Sequence, residues 1–331
     1  MKNHRETPKS DLSRFLDGVH RDFHSTRFLY SDPIEFIYQY KDPWDQEAVA
    51  LLAALLAYGK VAQIRKSVEN ALLRISTIAS SPKVFVKNLS SPVFRKKAEH
   101  RFQGFVHRFN KDSDPVILLG LLNQSWTIYG SLGAHFVNYL APTDTDIGGS
   151  LNQLMKDWRK WLPAQTPESF YYLLTSPDGG SCCKRWCMFL RWMGRKDEID
   201  PGLWSHFQAS SRANPKTNPL SELFPPGRSL KSSQLIMPLD THTGRISQYL
   251  GLTSRKSLNW KAALEVTSAL KFVDPVDPTR YDFALSRLGI LDLCQRSYRK
   301  EICLKCQLLP VCQFAQKKSS QSVLQSTQPS T

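Results

Sequence analysis

Three things are scarce in this 331-residue chain, and each shortage excludes something. Acids are outnumbered: 29 Asp and Glu face 44 Lys and Arg, a formal net charge of +15. That imbalance favours a polyanionic partner, and nucleic acid is the usual one. A membrane surface is the competing partner, but neither terminus carries a basic helix with a strong apolar face. Long apolar runs are scarce too. The longest, Ala48 to Tyr58, is far too short for a bilayer and suits a helix buried on every face. The N-terminal stretch MKNHRETPKSDLSRF lacks the apolar core of a secretion signal, so a cytoplasmic protein is expected. Strand-like alternation is the third shortage, and no heptads or internal repeats stand in for it. An all-α fold follows, with about eleven helices joined by short loops.

What is present is punctuated by clear signals. A mixed helix is expected over Phe23 to Tyr40, broken around Asp32-Pro33, and Asp45 is placed to cap the apolar Ala48 helix, which Gly59 ends. Residues 85–110 are strongly basic (Lys87, Arg95, Lys96, Lys97, Arg101, Arg108), which reads as a solvated face or as a phosphate contact. Asp274-Pro275-Val276-Asp277-Pro278 reads as a rigid double turn that launches the helix YDFALSRLGI.

The stretch Leu235 to Leu252 (LIMPLDTHTGRISQYLGL) organises the rest. Asp240 stands as the N-cap of an amphipathic helix, and a cap carboxylate is also a fixed negative charge facing the space ahead of the helix. A plain cap is the competing reading. Upstream, Asp178-Gly179-Gly180-Ser181 is a strong turn, and a helix follows at once. Lys184, Met188, Arg191 and Arg195 form one stripe of that helix, with Trp186, Phe189, Leu190 and Met193 facing the core. A glycine turn with a helix N-terminus is a natural phosphate seat, and the cations strengthen it. Lys184 lies in the first turn, where the helix dipole disfavours an ammonium and favours a neutral, nucleophilic amine. A surface lysine is the bland alternative.

Seven cysteines in a chain with no export signal are reduced thiols or metal ligands rather than disulfides. Cys294, Cys303, Cys306 and Cys312 read C-x8-C-x2-C-x5-C, which suits an iron–sulfur cluster because each iron takes one thiolate. Zinc is the alternative, although only one C-x2-C knuckle is present. Cys182, Cys183 and Cys187 read as core. Trp192, Trp204 and Trp260 are candidates to stack on an extruded base, or are core as well.

GGSCCKRWCMFLRWM followed by IMPLDTHTGRISQYLGL resembles the helix-hairpin-helix (HhH-GPD) DNA glycosylase superfamily, in particular its endonuclease III-like members. Gly180 to Lys184 matches the hairpin, with Cys182 in place of its second glycine, and Asp240-Thr241-His242 with Arg245 matches the segment of the catalytic aspartate. CKRxxxFLRWM, PLDTH and DPxDPxxYDFALxxLG are also similar to a bacterial branch of unassigned function.

The resemblance implies a two-lobed fold. Residues 45–196 would be a helical barrel lobe with its hairpin at 178–184, and 21–44 plus 235–316 a second lobe carrying the cysteines. Residues 1–20 are expected as a flexible tail, 197–234 as an irregular insertion and 317–331 as a disordered tail. The resemblance further implies base excision, with Lys184 as Schiff-base lysine, Asp240 as catalytic aspartate and a [4Fe-4S] cluster on the four cysteines. Gly179, Gly180, Ser181, Arg185, Arg191, Arg195, His242 and Arg245 would contact nucleic acid. A monomer on double-stranded DNA, away from membranes, is the expected state. The competing reading is a non-catalytic helix-hairpin-helix binding module with a structural or redox cluster.

Overall fold

The structure, a computed structural model, describes residues 9–205 and 219–318. It is predominantly helical, as expected. The chain opens on α1 (Lys9–Phe23), whose Leu16 and Val19 are buried and whose Asp17 accepts a hydrogen bond from Tyr281 Oη at 2.9 Å. The flexible tail expected over 1–20 is thus a packed helix from Lys9 onward, while residues 1–8 lie outside the described residues. Two short 3-10 turns follow, Thr26–Ser31 and Pro33–Gln39, in place of one mixed helix. Pro33 offers no N–H, and Asp32 caps the second turn by accepting from Ile34 N at 3.1 Å.

The next starts repeat one device, a capping side chain followed by proline. Asp42 begins α2 (Pro43–Leu55), Ser81 begins α4 (Pro82–Asn88) and Ser91 begins α5 (Pro92–Phe102), with α3 (Val61–Ser76) between the first two. Asp45, expected as the cap of α2, sits inside that helix and accepts from Lys83 N at 2.6 Å, tying α2 to α4. A two-strand ribbon, β1 (Val106–His107) with β2 (Asn110–Lys111), supplies the only named strands among the described residues. Then come α6 (Asp114–Tyr129), α7 (Leu132–Val137), α8 (Gly148–Lys160), α9 (Glu168–Tyr171) and α10 (Lys184–Gly194).

Helix α2 is the axis of the core, as its all-round apolar character requires. The deeper of its two buried acids, Glu47, accepts from Trp126 Nε1 (2.6 Å), Trp204 Nε1 (2.8 Å), Leu132 N (3.1 Å) and Gly133 N (3.2 Å). A buried carboxylate is tolerable when its lone pairs are met in this way. Trp204 belongs to the stretch expected as an irregular insertion. The part of it up to Ser205 is therefore core structure, and 206–218 lies outside the described residues.

The chain closes with α11 (Thr241–Tyr249), α12 (Trp260–Lys271), α13 (Asp282–Ile290) and α14 (Lys300–Cys303). A last helical turn runs over 313–318, with Phe314 stacked on Tyr249 at 4.1 Å and Ala315 buried, so of the stretch expected to be disordered (317–331) Lys317 and Lys318 are helical. Residues 319–331 lie outside the described residues. One continuous cluster of buried apolar residues runs from Leu16 to Leu308. Among the described residues, no helix is long and apolar enough to cross a membrane.

Candidate active site

The two segments singled out in the sequence meet. The start of α10 and the start of α11 are tied by Cys182 Sγ, which donates to Leu239 O at 3.4 Å. A bridge between Ser181 and Asn259 ties the turn ahead of α10 to the start of α12 as well. Lys184 and Asp240 consequently line one cavity of about 950 Å³, floored by Asp282 and Arg191 and walled by Tyr58, Tyr172 and His242. That volume lies at the upper end of the roughly 300–1,000 Å³ spanned by small-ligand sites.

Asp240 is the N-cap of α11. Its Oδ1 accepts from His242 N (2.7 Å), Thr243 N (2.9 Å) and Thr243 Oγ1 (3.2 Å), while Thr243 Oγ1 also receives the Asp240 backbone N–H at 2.9 Å. Among the described residues no hydrogen bond goes to Oδ2, so this oxygen is the one presented to the cavity. Burial works against the carboxylate, but the Lys184 ammonium and the two backbone N–H groups outweigh it. Together they hold its pKa below the ordinary aspartate value. Lys184 Nζ donates to Ala57 O (3.3 Å), at the carboxyl end of α2, and reaches Met188 Sδ at 3.5 Å. No carboxylate among the described residues lies within ion-pair distance of it.

Several foreseen contacts are corrected by burial. Arg191 and Arg195 are not an outward stripe: they are 2% and 5% exposed and paired with acids. Arg191 pairs with Asp200 at 3.0 Å and with Asp282, and Arg195 pairs with Asp197 (2.6 Å), Asp200 (2.7 Å) and Asp277 (2.6 Å). With their charge met by buried acids, these two guanidinium groups are not surface phosphate contacts. Arg185 is likewise buried, donating to Leu55 O at 2.8 Å and to Tyr172 O. The Gly179 and Gly180 amides bond to Ser176 O (3.1 Å) and Pro177 O (2.9 Å), so those two N–H groups are spent within the turn. Ser181 is held in its bridge and accepts from Cys183 N at 3.1 Å. Trp192 and Trp204 are fully buried and Trp260 packs beside Gly148, so none faces the cavity.

Asp282 is the residue the sequence reading missed. It lies at the first turn of α13, fully within the cavity floor, and Arg191 Nη1 donates to it. Burial drives its carboxyl up to about 6, with the Asp240 charge adding to the rise and Arg191 opposing it. The available signal was the acid inside the apolar stretch YDFAL, which a solvated cap does not need.

Helix α11 joins this cavity to the cysteines. From its middle, Arg245 Nη2 donates to Cys294 O at 2.7 Å, and Tyr249 Oη donates to Arg296 O at 2.9 Å. Cys294, Cys303, Cys306 and Cys312 line one small cavity with Tyr249, Phe314 and Leu309, and no imidazole or carboxylate lines it. Among the described residues no group of three or more His, Cys, Asp or Glu is close enough to hold a single metal ion. An all-sulfur donor set in apolar surroundings nevertheless fits a thiophilic inorganic group. Cys182 is half-buried and Cys183 and Cys187 are buried, as expected of core thiols.

The fold and this cavity define a predominantly helical protein with a lysine and a capping aspartate lining one cavity. The chain belongs to the family described as protein of unknown function (DUF2400), whose model matches residues 32–215 and 227–291. The match covers Lys184, Asp240 and Asp282 and ends ahead of the four cysteines. No curated protein and no solved structure matches the chain.

Proposed function

We propose that this protein is a DNA glycosylase that removes a damaged or mispaired base, with an associated lyase step at Lys184. One observation carries the reading: an amine and a carboxylate from segments 56 positions apart in sequence line the same cavity, with the amine lowering the pKa of the carboxylate. A base inside a duplex cannot offer its glycosidic carbon to such a cavity, so the nucleotide would be extruded into it.

The chain's own groups then divide the chemistry. Asp240 Oδ2, ionised and fixed by its cap bonds, stabilises the positive charge that develops on the sugar as the base departs. The Lys184 amine, once deprotonated, forms a bond to C1′ while the C1′–base bond breaks and its electron pair leaves with the base, which takes up a proton. Opening of the sugar ring then leaves an imine between Lys184 and C1′. The net charge of +15 supplies attraction to the phosphates that weakens steeply with salt. The four cysteines would hold a [4Fe-4S] cluster, with zinc as the alternative. When bound, it would fix the loop between Cys294 and Cys303, which carries Arg296, Arg299 and Lys300, against α11.

The test is a panel of duplexes, each bearing one damaged or mispaired base. The wild type should release one of these bases, and Asp240→Asn should bind the same duplex within a fewfold while losing most turnover. Release of a base by Asp240→Asn at the wild-type rate would remove the assignment.

A further inference from the structure

The cavity wall made by Tyr58 and Tyr172 continues outward onto the β1–β2 ribbon. Tyr58 Oη lies 2.9 Å from His107 O and 2.5 Å from Asn110 Oδ1, pinning the ribbon to the end of α2. At the ribbon's tip, the Phe109 ring lies 5.0 Å from that of Tyr172 and 6.2 Å from that of Tyr58, nearly parallel to the latter. The three rings form a cluster, yet Phe109 is 55% exposed and Tyr172 40% exposed. Core aromatics are not left open in this way, and clustered exposed rings mark a binding surface.

The backbone beneath supports a functional reading. Arg108 adopts φ 53°, the left-handed region, at a turn position where glycine is the easier residue. Opposite it stands Gly59 at φ 107°, and a Cβ there would meet Arg108 Cδ and Nη1 at 3.0 Å. Arg108 thus holds a backbone conformation that favours glycine, and its side chain lies against Gly59, whose own φ is in the glycine region. The guanidinium lies 5.6 Å from the Phe109 ring centre and 5.9 Å from that of Tyr58. Lys60, exposed on the cavity rim, adds a second cation. Asp112, the nearby acid, is turned to the Gly104 N–H at 2.9 Å.

We infer that this tip is a stacking platform for an unpaired nucleobase lying outside the cavity, with Arg108 and Lys60 meeting the adjoining phosphates. Flat faces beside cations match a nucleotide strand, in which every base offers a π face and every link a negative charge. The platform rests on the nucleic-acid reading above and deepens it: the strand that feeds the cavity has at least one base unstacked at Phe109 and Tyr172. The preferred ligand is then single-stranded or locally opened nucleic acid rather than intact duplex.

The experiment titrates the full chain into oligonucleotides carrying one 2-aminopurine, either single-stranded, in an unpaired bulge or fully paired, at low salt. The wild type should bind the first two more tightly than the paired form and quench the 2-aminopurine by stacking. Phe109→Ala and Tyr172→Ala should each weaken that binding roughly tenfold to a hundredfold and reduce the quenching. Arg108→Gly should weaken binding while unfolding no earlier than wild type, because glycine accepts the backbone angle. Wild-type affinity and quenching in all three variants would overturn the platform and leave the cavity reading standing. A wild-type protein that binds none of the oligonucleotides would overturn both.

Discussion

Gly289→Ala tests whether the cavity geometry, rather than mere folding, is what matters. Gly289 lies on α13 against α11, and a Cβ there would sit 2.4 Å from His242 Nδ1 and 2.5 Å from His242 Cβ. Ordinary contact needs about 1 Å more, and because His242 Cβ is at the root of its side chain, rotation cannot clear it. The start of α11 must therefore move away by about that distance, and Asp240 is two residues upstream. Overpacking of this kind costs about 1–3 kcal/mol, which a domain of ordinary stability survives. A displacement near 1 Å at reacting groups can slow catalysis by about a hundredfold. The assay is a single-turnover strand-cleavage rate on a duplex with an abasic site, with the folded fraction measured by urea unfolding. Gly120→Ala serves as comparison: its Cβ meets nothing within 4 Å in the middle of α6, so about 1 kcal/mol of added stability and an unchanged rate are expected. A folded Gly289→Ala protein that reacts at the wild-type rate would show that the position of the α11 start does not govern the chemistry.

Glu47→Ala should destabilise the fold by about 3–5 kcal/mol, since it strands two indole and two backbone N–H groups in the core. Urea unfolding would show it, and a loss under about 1 kcal/mol would mean those donors find other partners. Asp282 binds its proton more tightly in the folded chain, up to about 6, than an ordinary aspartate near 3.8 does. Its contribution is thus fully present below about pH 4 and is lost as pH rises through about 6. Asp282→Asn, in which Arg191 keeps Asp200, should gain on wild type as pH rises from 4 to 7; a pH-independent gap in unfolding free energy would contradict this. Anaerobically purified protein should be coloured by iron–thiolate absorption that Cys306→Ser abolishes, whereas colourless protein with stoichiometric zinc would replace the cluster.

How much of this was legible follows from the range of each signal. The helix starts at Asp240 and Lys184 could be placed because a cap and a glycine turn are local patterns, read within a few residues, whereas the joining of the two in one site came from the family resemblance. Arg191 and Arg195 were misread because helical spacing reports a stripe, not what the stripe faces. Their partners Asp200, Asp277 and Asp282 lie up to 91 residues away. Helix α1 was readable: Leu12, Phe15, Leu16 and Val19 recur at helical spacing, but the surrounding charge masked them. The ribbon at 106–111 was not, since two-residue strands are too short to alternate. The all-α expectation held because it rested on that missing alternation over the whole chain. The meeting of α10 and α11 depends on a Cys182–Leu239 contact that no local pattern encodes.

The proposed chemistry requires the Lys184 amine to reach a sugar carbon in the cavity. Borohydride reduction of the full chain mixed with an abasic-site duplex, followed by peptide mapping, tests it most directly. A covalent adduct located on Lys184, and lost in Lys184→Gln, is the predicted result. Base release without any adduct would limit Lys184 to holding DNA, and an adduct mapped to another lysine would remove Lys184 as the nucleophile.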